Sequence, residues 1–164
     1  MNATLLCPGP SLANYAGEGR GIVVGVNRAV TLHQCDMWAA TDHPLIRSVT
    51  PLGDPALFTI TASRDSLERR GIPWPRLVVT HDDIAGQTVT NGRHPWTRYT
   101  ATAALQYLIW SGATHIDVWG ADWSGTQDWD GTDAGQVRTA DRWAAEREIW
   151  QGVIDRNDTE VVRH

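Results

Sequence analysis

Apolar residues run along this chain in short, almost unbroken blocks, separated by polar stretches with helical spacing. ATLLC (3–7), GIVVGV (21–26), DMWAAT (36–41), ALFTI (56–60), RLVVT (76–80) and HIDVW (115–119) are the blocks, and TEVVR (159–163) supplies a seventh. Runs this short, with little alternation, predict strands buried on both faces. Between them, Ala101, Ala104, Leu105, Leu108 and Ile109 recur at helical spacing and predict a helix over 100–112, stopped by Gly112. A second helix is predicted over 139–154, with Ala140, Trp143, Ala144, Trp150 and Ile154 along one broad face. A shorter one is expected over 63–71, with Ser63 as its cap and Gly71 at its end. Strands alternating with helices predict an α/β sandwich around a mostly parallel sheet. Such folds bind ligands beyond the carboxyl ends of their strands. The residues that follow each strand are therefore where chemistry is expected.

The first strand runs into PGPS (8–11). Gly9 lets backbone approach a ligand closely, the prolines stiffen the turn, and Ser11 can cap a following helix whose N-terminus favours an anion. The turn reads equally as a phosphate cradle and as a plain strand-to-helix connection. After the second strand stand Asn27 and Arg28. Asn27 can donate and accept toward a base, ribose or phosphate, or can cap the next helix. Arg28 can reach a phosphate. After the third strand, Asp42 and His43 form an acid–base or metal-ligand pair, or simply begin a loop.

Residues 81–99 are long for a loop in a compact domain and carry His81, Asp82, Asp83, Arg93, His94, Trp96 and Arg98. Arg98 precedes the strong helix and can meet a phosphate at its N-terminus. After the sixth strand come Gly120 and Asp122, and then a Gly-rich acidic segment with Asp128, Asp130, Asp133, Trp123 and Trp129. Asp128 and Asp130 have the D-x-D form that many metal-dependent sugar transferases use for a divalent ion. The same composition describes a solvated turn, and the full calcium-loop spacing is absent.

Composition narrows the classes. The chain has 164 residues, the size of one ordinary domain, so 1–164 reads as a single unit. Its formal net charge is −5, and all fourteen basic residues are Arg. A lysine nucleophile, a Schiff base and a P-loop lysine are thereby excluded. The acidic balance opposes tight, unaided binding along a nucleic-acid backbone. No apolar run approaches a membrane span, and the N-terminus lacks the charged and apolar regions of a signal peptide. Cys7 and Cys35, both in apolar contexts, read as buried thiols in a reducing compartment, and a cytoplasmic location is the expectation. Nine Trp is high for this length; most are expected in the core, and Trp123 and Trp129 can either stack on a sugar or base or simply be buried.

Three motifs stand in a recognisable order: LLCPGPSL (5–12), VVGVNRAV (23–30) and RYTATAALQYLIWSGATHIDVWGADWSG (98–125), the last containing a helix followed by G-x-x-x-I-x-x-x-G-x-D. This order resembles the bacterial sialyltransferases of glycosyltransferase family 42 and the related MptE-like 6-hydroxymethylpterin diphosphokinases. The resemblance implies a single-domain α/β/α Rossmann-like sandwich. It implies a nucleotide site lined by Gly9, Pro10 and Ser11, by Asn27, and by Thr100, Ala101 and Thr102, with Gly120 and Asp122 at the end of the late strand. The implied ligand is a nucleotide or nucleotide-sugar donor.

The sialyltransferases carry a catalytic His before their last large helix, whereas 123–142 contains none, and their assisting tyrosines have no counterpart. A carboxylate among Asp122, Asp130 and Asp133 is then the expected base. The diphosphokinase relatives use ATP and Mg²⁺, which clustered aspartates suit. A nucleotide-dependent transferase of the glycosyltransferase type is the leading expectation. The alternatives are an MptE-like diphosphokinase and a non-catalytic nucleotide-binding module. A small stand-alone domain of this kind also suits a phage setting. The acceptor is open between a glycan, a modified base and a protein.

Overall fold

The computed structural model describes residues 1–59, 68–71, 77–79, 99–132 and 139–164, with backbone alone at 43 and 77–79. All seven apolar blocks contain strands: β1 (Asn2–Leu6), β2 (Ile22–Val26), β3 (Met37–Ala39), β4 (Ala56–Phe58), β5 (Leu77–Val79), β6 (His115–Trp119) and β7 (Glu160–Arg163). They form one seven-stranded sheet in the order β5-β4-β3-β2-β1-β6-β7. Every pairing is parallel. The helices are α1 (His43–Ser48), α2 (Thr100–Trp110) and α3 (Ala140–Ile154), with 3-10 turns at Pro10–Asn14 and Asn27–Thr31. The architecture is the expected Rossmann-like α/β fold. The helix expected over 63–71 falls largely outside the described residues. None of the described helices is long and apolar enough to cross a membrane.

The period-two geometry of the strands divides their side chains between two cores. Ala3, Leu5, Val24, Val26, Met37, Ala39, Phe58, Ile116 and Val118 face α2 and α3. Leu6, Trp38, Ala40 and Leu57 face the other way, onto the 3-10 turns and α1 through Leu12, Ala29, Val30 and Ile46. The strands read as unbroken apolar runs because both faces are covered. Helix α2 supplies Ala103, Ala104, Leu105 and Leu108 to the first core, and Gly112 ends it at φ 89°.

Helix α3 differs from its expected face. Ala140 and Ala144 are exposed, whereas Glu146, Trp150 and Val153 are buried. Alanine is small enough to sit on either side of a helix, so it marks the inward face poorly. Thr139 caps α3 by accepting from the Arg142 N–H at 3.2 Å. Both cysteines are buried free thiols, and Trp123, expected in an open loop, is only 7% exposed.

Chain direction along the sheet reverses between β1 and β6. From β1 the chain steps to β2 and on to β5, and the later strands β6 and β7 add on the other side. A parallel sheet leaves a crevice at such a reversal, and the turns after β1 and β6 line it here. They also touch: the Cys7 N–H donates to Trp119 O at 2.7 Å and the Gly9 N–H to Gly120 O at 3.0 Å. Gly120 has φ 73°, and a Cβ there would run into the Cys7 carbonyl. Gly120→Ala is expected to destabilise the protein by more than about 2 kcal/mol, since the left-handed backbone alone costs 1–2 kcal/mol for other residues. At this chain length that lowers Tm by roughly 5 °C or more, readable by calorimetry. An unchanged Tm would mean the two turns are not held this closely.

Candidate functional site

A cleft of about 740 Å³ opens at this reversal, within the size range of small-molecule sites. Gly9, Asn27, Arg28, Thr100, Ala101, Gly120, Asp122 and Asp128 all line it. Residues from the ends of β1, β2 and β6 and from the start of α2, up to 119 positions apart in sequence, thus meet at one place. Pro10 and Ser11 lie behind the turn rather than on the cleft wall, and Thr102 is fully buried in the core side of α2. Arg98 and Asp133 lie outside the described residues, as do His81, Asp82, Asp83, Arg93, His94 and Trp96.

The PGPS turn is organised by the chain's own carboxylate. The Ser11 N–H donates to Asp122 Oδ2 at 2.9 Å, and Ser11 Oγ accepts from the Gly120 N–H at 3.1 Å. Gly9, not Ser11, is the residue preceding the 3-10 turn. A Cβ on Gly9 would collide with Gly120 O and Asp122 Oδ2, so this position must be glycine for Asp122 to reach the turn. An anion does sit at the head of this turn, and it is the side chain of Asp122. Its other oxygen, Oδ1, makes none of these bonds.

Asn27 opens the second 3-10 turn without capping it. Its backbone is left-handed, at φ 50°, and its carbonyl accepts from Trp38 Nε1 at 2.9 Å. Its Oδ1 is buried with no hydrogen-bond partner. Trp123, directly after Asp122, is also left-handed, at φ 46°. These two are the non-glycine residues with positive φ among those described, and both line the cleft. Such backbone is strained for a bulky side chain, and strain of this kind concentrates at functional sites.

Arg28 bridges the cleft to the acidic segment. Nη1 lies 3.3 Å from Asp128 Oδ2, and Nη2 bonds Asp130 Oδ2. The segment is further fixed by the Trp129 N–H, which donates to Pro8 O at 2.8 Å, and by the Thr132 N–H on Asp130 Oδ1 at 2.9 Å. Burial acts to raise the Asp130 pKa, but the Arg28 and Thr132 hydrogen bonds outweigh it and bring it down to about 2. So weak a base is poorly matched to proton abstraction near neutrality. Two carboxylates turned onto a guanidinium also do not offer a divalent ion a ligand set, and among the described residues no group of three or more His, Cys, Asp or Glu could hold a metal. As arranged here, both D-x-D aspartates are engaged by Arg28.

Thr41, Arg142, Trp143 and Glu146 are among the lining residues to which the sequence reading gave no site role. The hydroxyls of Thr41 and Thr100 lie 2.6 Å apart, joining the end of β3 to the start of α2. Glu146 is 7% exposed and sits three residues after Trp143 and four before Trp150. A carboxylate at that spacing on the tryptophan stripe of a helix is the signal that marks it. The Cys7 thiol is pushed well up by burial, with the charges of Glu146 and Asp122 adding to the effect. Cys7 is therefore a neutral wall of the cleft rather than a nucleophile.

Compared with protein-family models, with curated proteins and with solved structures, the chain matches none.

The Arg28 bridge gives an acid signature. Asp130 has its pKa depressed from 3.8 to about 2, so the stability the pair supplies is complete above about 3.8 and is lost as pH falls toward about 2. Asp130→Asn is expected to flatten the fall of Tm across that window. Melting curves of wild type and variant that fall in parallel would show that Arg28 does not hold Asp130 in solution.

Proposed function

We propose that this chain is a nucleotide-dependent transferase of the glycosyltransferase type, with the donor nucleotide in the cleft between the ends of β1 and β6. The observation that carries the reading is the meeting of Gly9, Asn27, Thr100, Gly120 and Asp122 at the switch point of a parallel sheet, with strained backbone at Asn27. Open parallel sheets bind their ligands at this place. The three motifs that resemble the sialyltransferases fall on its walls.

In this reading Asn27 and Arg28 contact the nucleotide on the β2 side, and the first turn of α2 closes it from the front. Asp122 is the acceptor's base. Its Oδ2 is pinned by Ser11 N–H and crowded by Gly9, which leaves Oδ1 to take a proton from the attacking hydroxyl. The bond formed is from that oxygen to the donor carbon, and the bond broken is from the same carbon to the leaving nucleotide. Asp130 is spoken for by Arg28 and takes no part in the proton transfer.

The test is a thermal-shift panel of CMP, UDP, GDP, ADP, ATP and their sugar conjugates, each with Mg²⁺ and with EDTA. A ligand at a hundred times its Kd stabilises by about 2.7 kcal/mol, well within reach of the method. Stabilisation by one nucleotide family is expected, and it then selects the donor for a turnover assay. Asp122→Asn should keep the bond from Ser11 and the donor affinity but lower turnover by about 10²–10⁴-fold. Silence across the whole panel, or an Asp122→Asn variant with full turnover, overturns the reading. A shift that requires Mg²⁺ and ATP would point instead to diphosphate transfer.

A further inference from the structure

Beside the cleft, near the β6–β7 end of the sheet, two guanidiniums share the ring of one lining residue, Trp123. Arg163, in β7, stands over Trp123 with Cζ 4.0 Å from the ring centroid. Its Nη2 donates to Ala121 O at 3.1 Å. Arg147, on α3, lies over the same ring at 5.8 Å. Among the described residues neither side chain forms an ion pair. Arg28 shows the contrast, with two carboxylates on one guanidinium.

Like charges gathered this way oppose each other. The Arg163 pKa is lowered by burial first and by the Arg147 charge second, against the smaller pull of Asp122. The ring that gathers them is itself fixed. Trp123 is buried, left-handed at φ 46°, and packed edge-on against Trp150 with centroids 5.3 Å apart. Cation–π attraction keeps the two cations on it but does not neutralise them. An anion placed between them would.

We propose that Arg147 and Arg163, held on the Trp123 ring, form a phosphate-binding subsite on the β6–β7 flank of the cleft. Guanidinium forks match tetrahedral phosphate oxygens with paired hydrogen bonds. Two full positive charges match a dianionic phosphate and exceed a single carboxylate. Trp123 lines the cleft and Arg163 bonds the carbonyl of Ala121, another lining residue, so the subsite adjoins the cleft through these two residues although neither guanidinium lines it. The subsite rests on the cleft being a ligand site, not on the ligand being a nucleotide.

The experiment is a titration of the full chain with inorganic phosphate at constant ionic strength, followed by calorimetry and by the ¹H–¹⁵N indole signal of Trp123. Trp123→Phe assigns that signal, and acetate serves as the carboxylate comparison. Phosphate is expected to move the Trp123 signal and to bind more tightly than acetate. Arg147→Gln, at an exposed position that the fold does not need, is expected to weaken phosphate by about tenfold, and Arg163→Gln by as much or more. Phosphate that does not bind, that binds no better than acetate, or that binds Arg147→Gln as well as wild type overturns the subsite. Nucleotides that give no stabilisation while phosphate still moves Trp123 would sink the transferase reading and leave the subsite standing.

Discussion

The turn after β1 and the turn after β6 approach until backbone bonds backbone, and the carboxyl edge of the sheet is arranged around that approach. The Gly9 N–H on Gly120 O, at 3.0 Å, is feasible only because neither residue carries a side chain on the facing side. With the turns that close, Asp122 reaches the Ser11 N–H, and Trp129 reaches Pro8 O at 2.8 Å. The acidic segment is thereby carried across the top of β1 to Arg28. One short contact between two glycine turns thus sets where a carboxylate, a cation and an aromatic ring stand relative to a cleft. The local bonds are worth only about 0.5–1.5 kcal/mol each, so their effect is on geometry more than on total stability.

That arrangement divides the charged groups of the cleft into committed and available ones. The head of the first 3-10 turn already has its anion in Asp122. Arg28 already has two carboxylates. A ligand phosphate arriving at either place must compete with an internal carboxylate. Among the described residues no carboxylate forms an ion pair with Arg147 or Arg163, and they stand on the opposite flank. The electrostatics therefore point a phosphate toward β6–β7, even though the sequence motif nearest in form to a phosphate cradle follows β1.

The strands were legible in the sequence because burial on both faces leaves so few polar residues in each run. Gly112 was legible as a helix stop, since a glycine after a helix announces left-handed backbone. The partnership of Ser11 with Asp122 was not, because 111 residues separate them and no local pattern links a turn to a distant carboxylate. PGPS consequently read as open to an external anion when its donor meets an internal one. For the same reason Asp128 and Asp130 stayed open between a cation pair and a solvated turn, with Arg28 about 100 positions away. Glu146 was hidden differently: the stripe of α3 was drawn through alanines that face solvent, which moved the apparent apolar face off the carboxylate.

What remains to be explained by function is the strain. Asn27 and Trp123 hold left-handed backbone without the licence that glycine has, and Asn27 buries an oxygen that nothing bonds. Each costs the fold of the order of 1–3 kcal/mol, and replacement by glycine would relieve much of it. Trp123 has a structural return in its contact with Trp150 and in the two cations it carries. Asn27 has only the bond from Trp38 to its carbonyl, which any residue could accept through the same backbone atom. Its side chain therefore earns its place through something other than packing. It stands on the cleft wall at the end of β2, where, under the proposed function, a polar ligand would meet its unbonded oxygen.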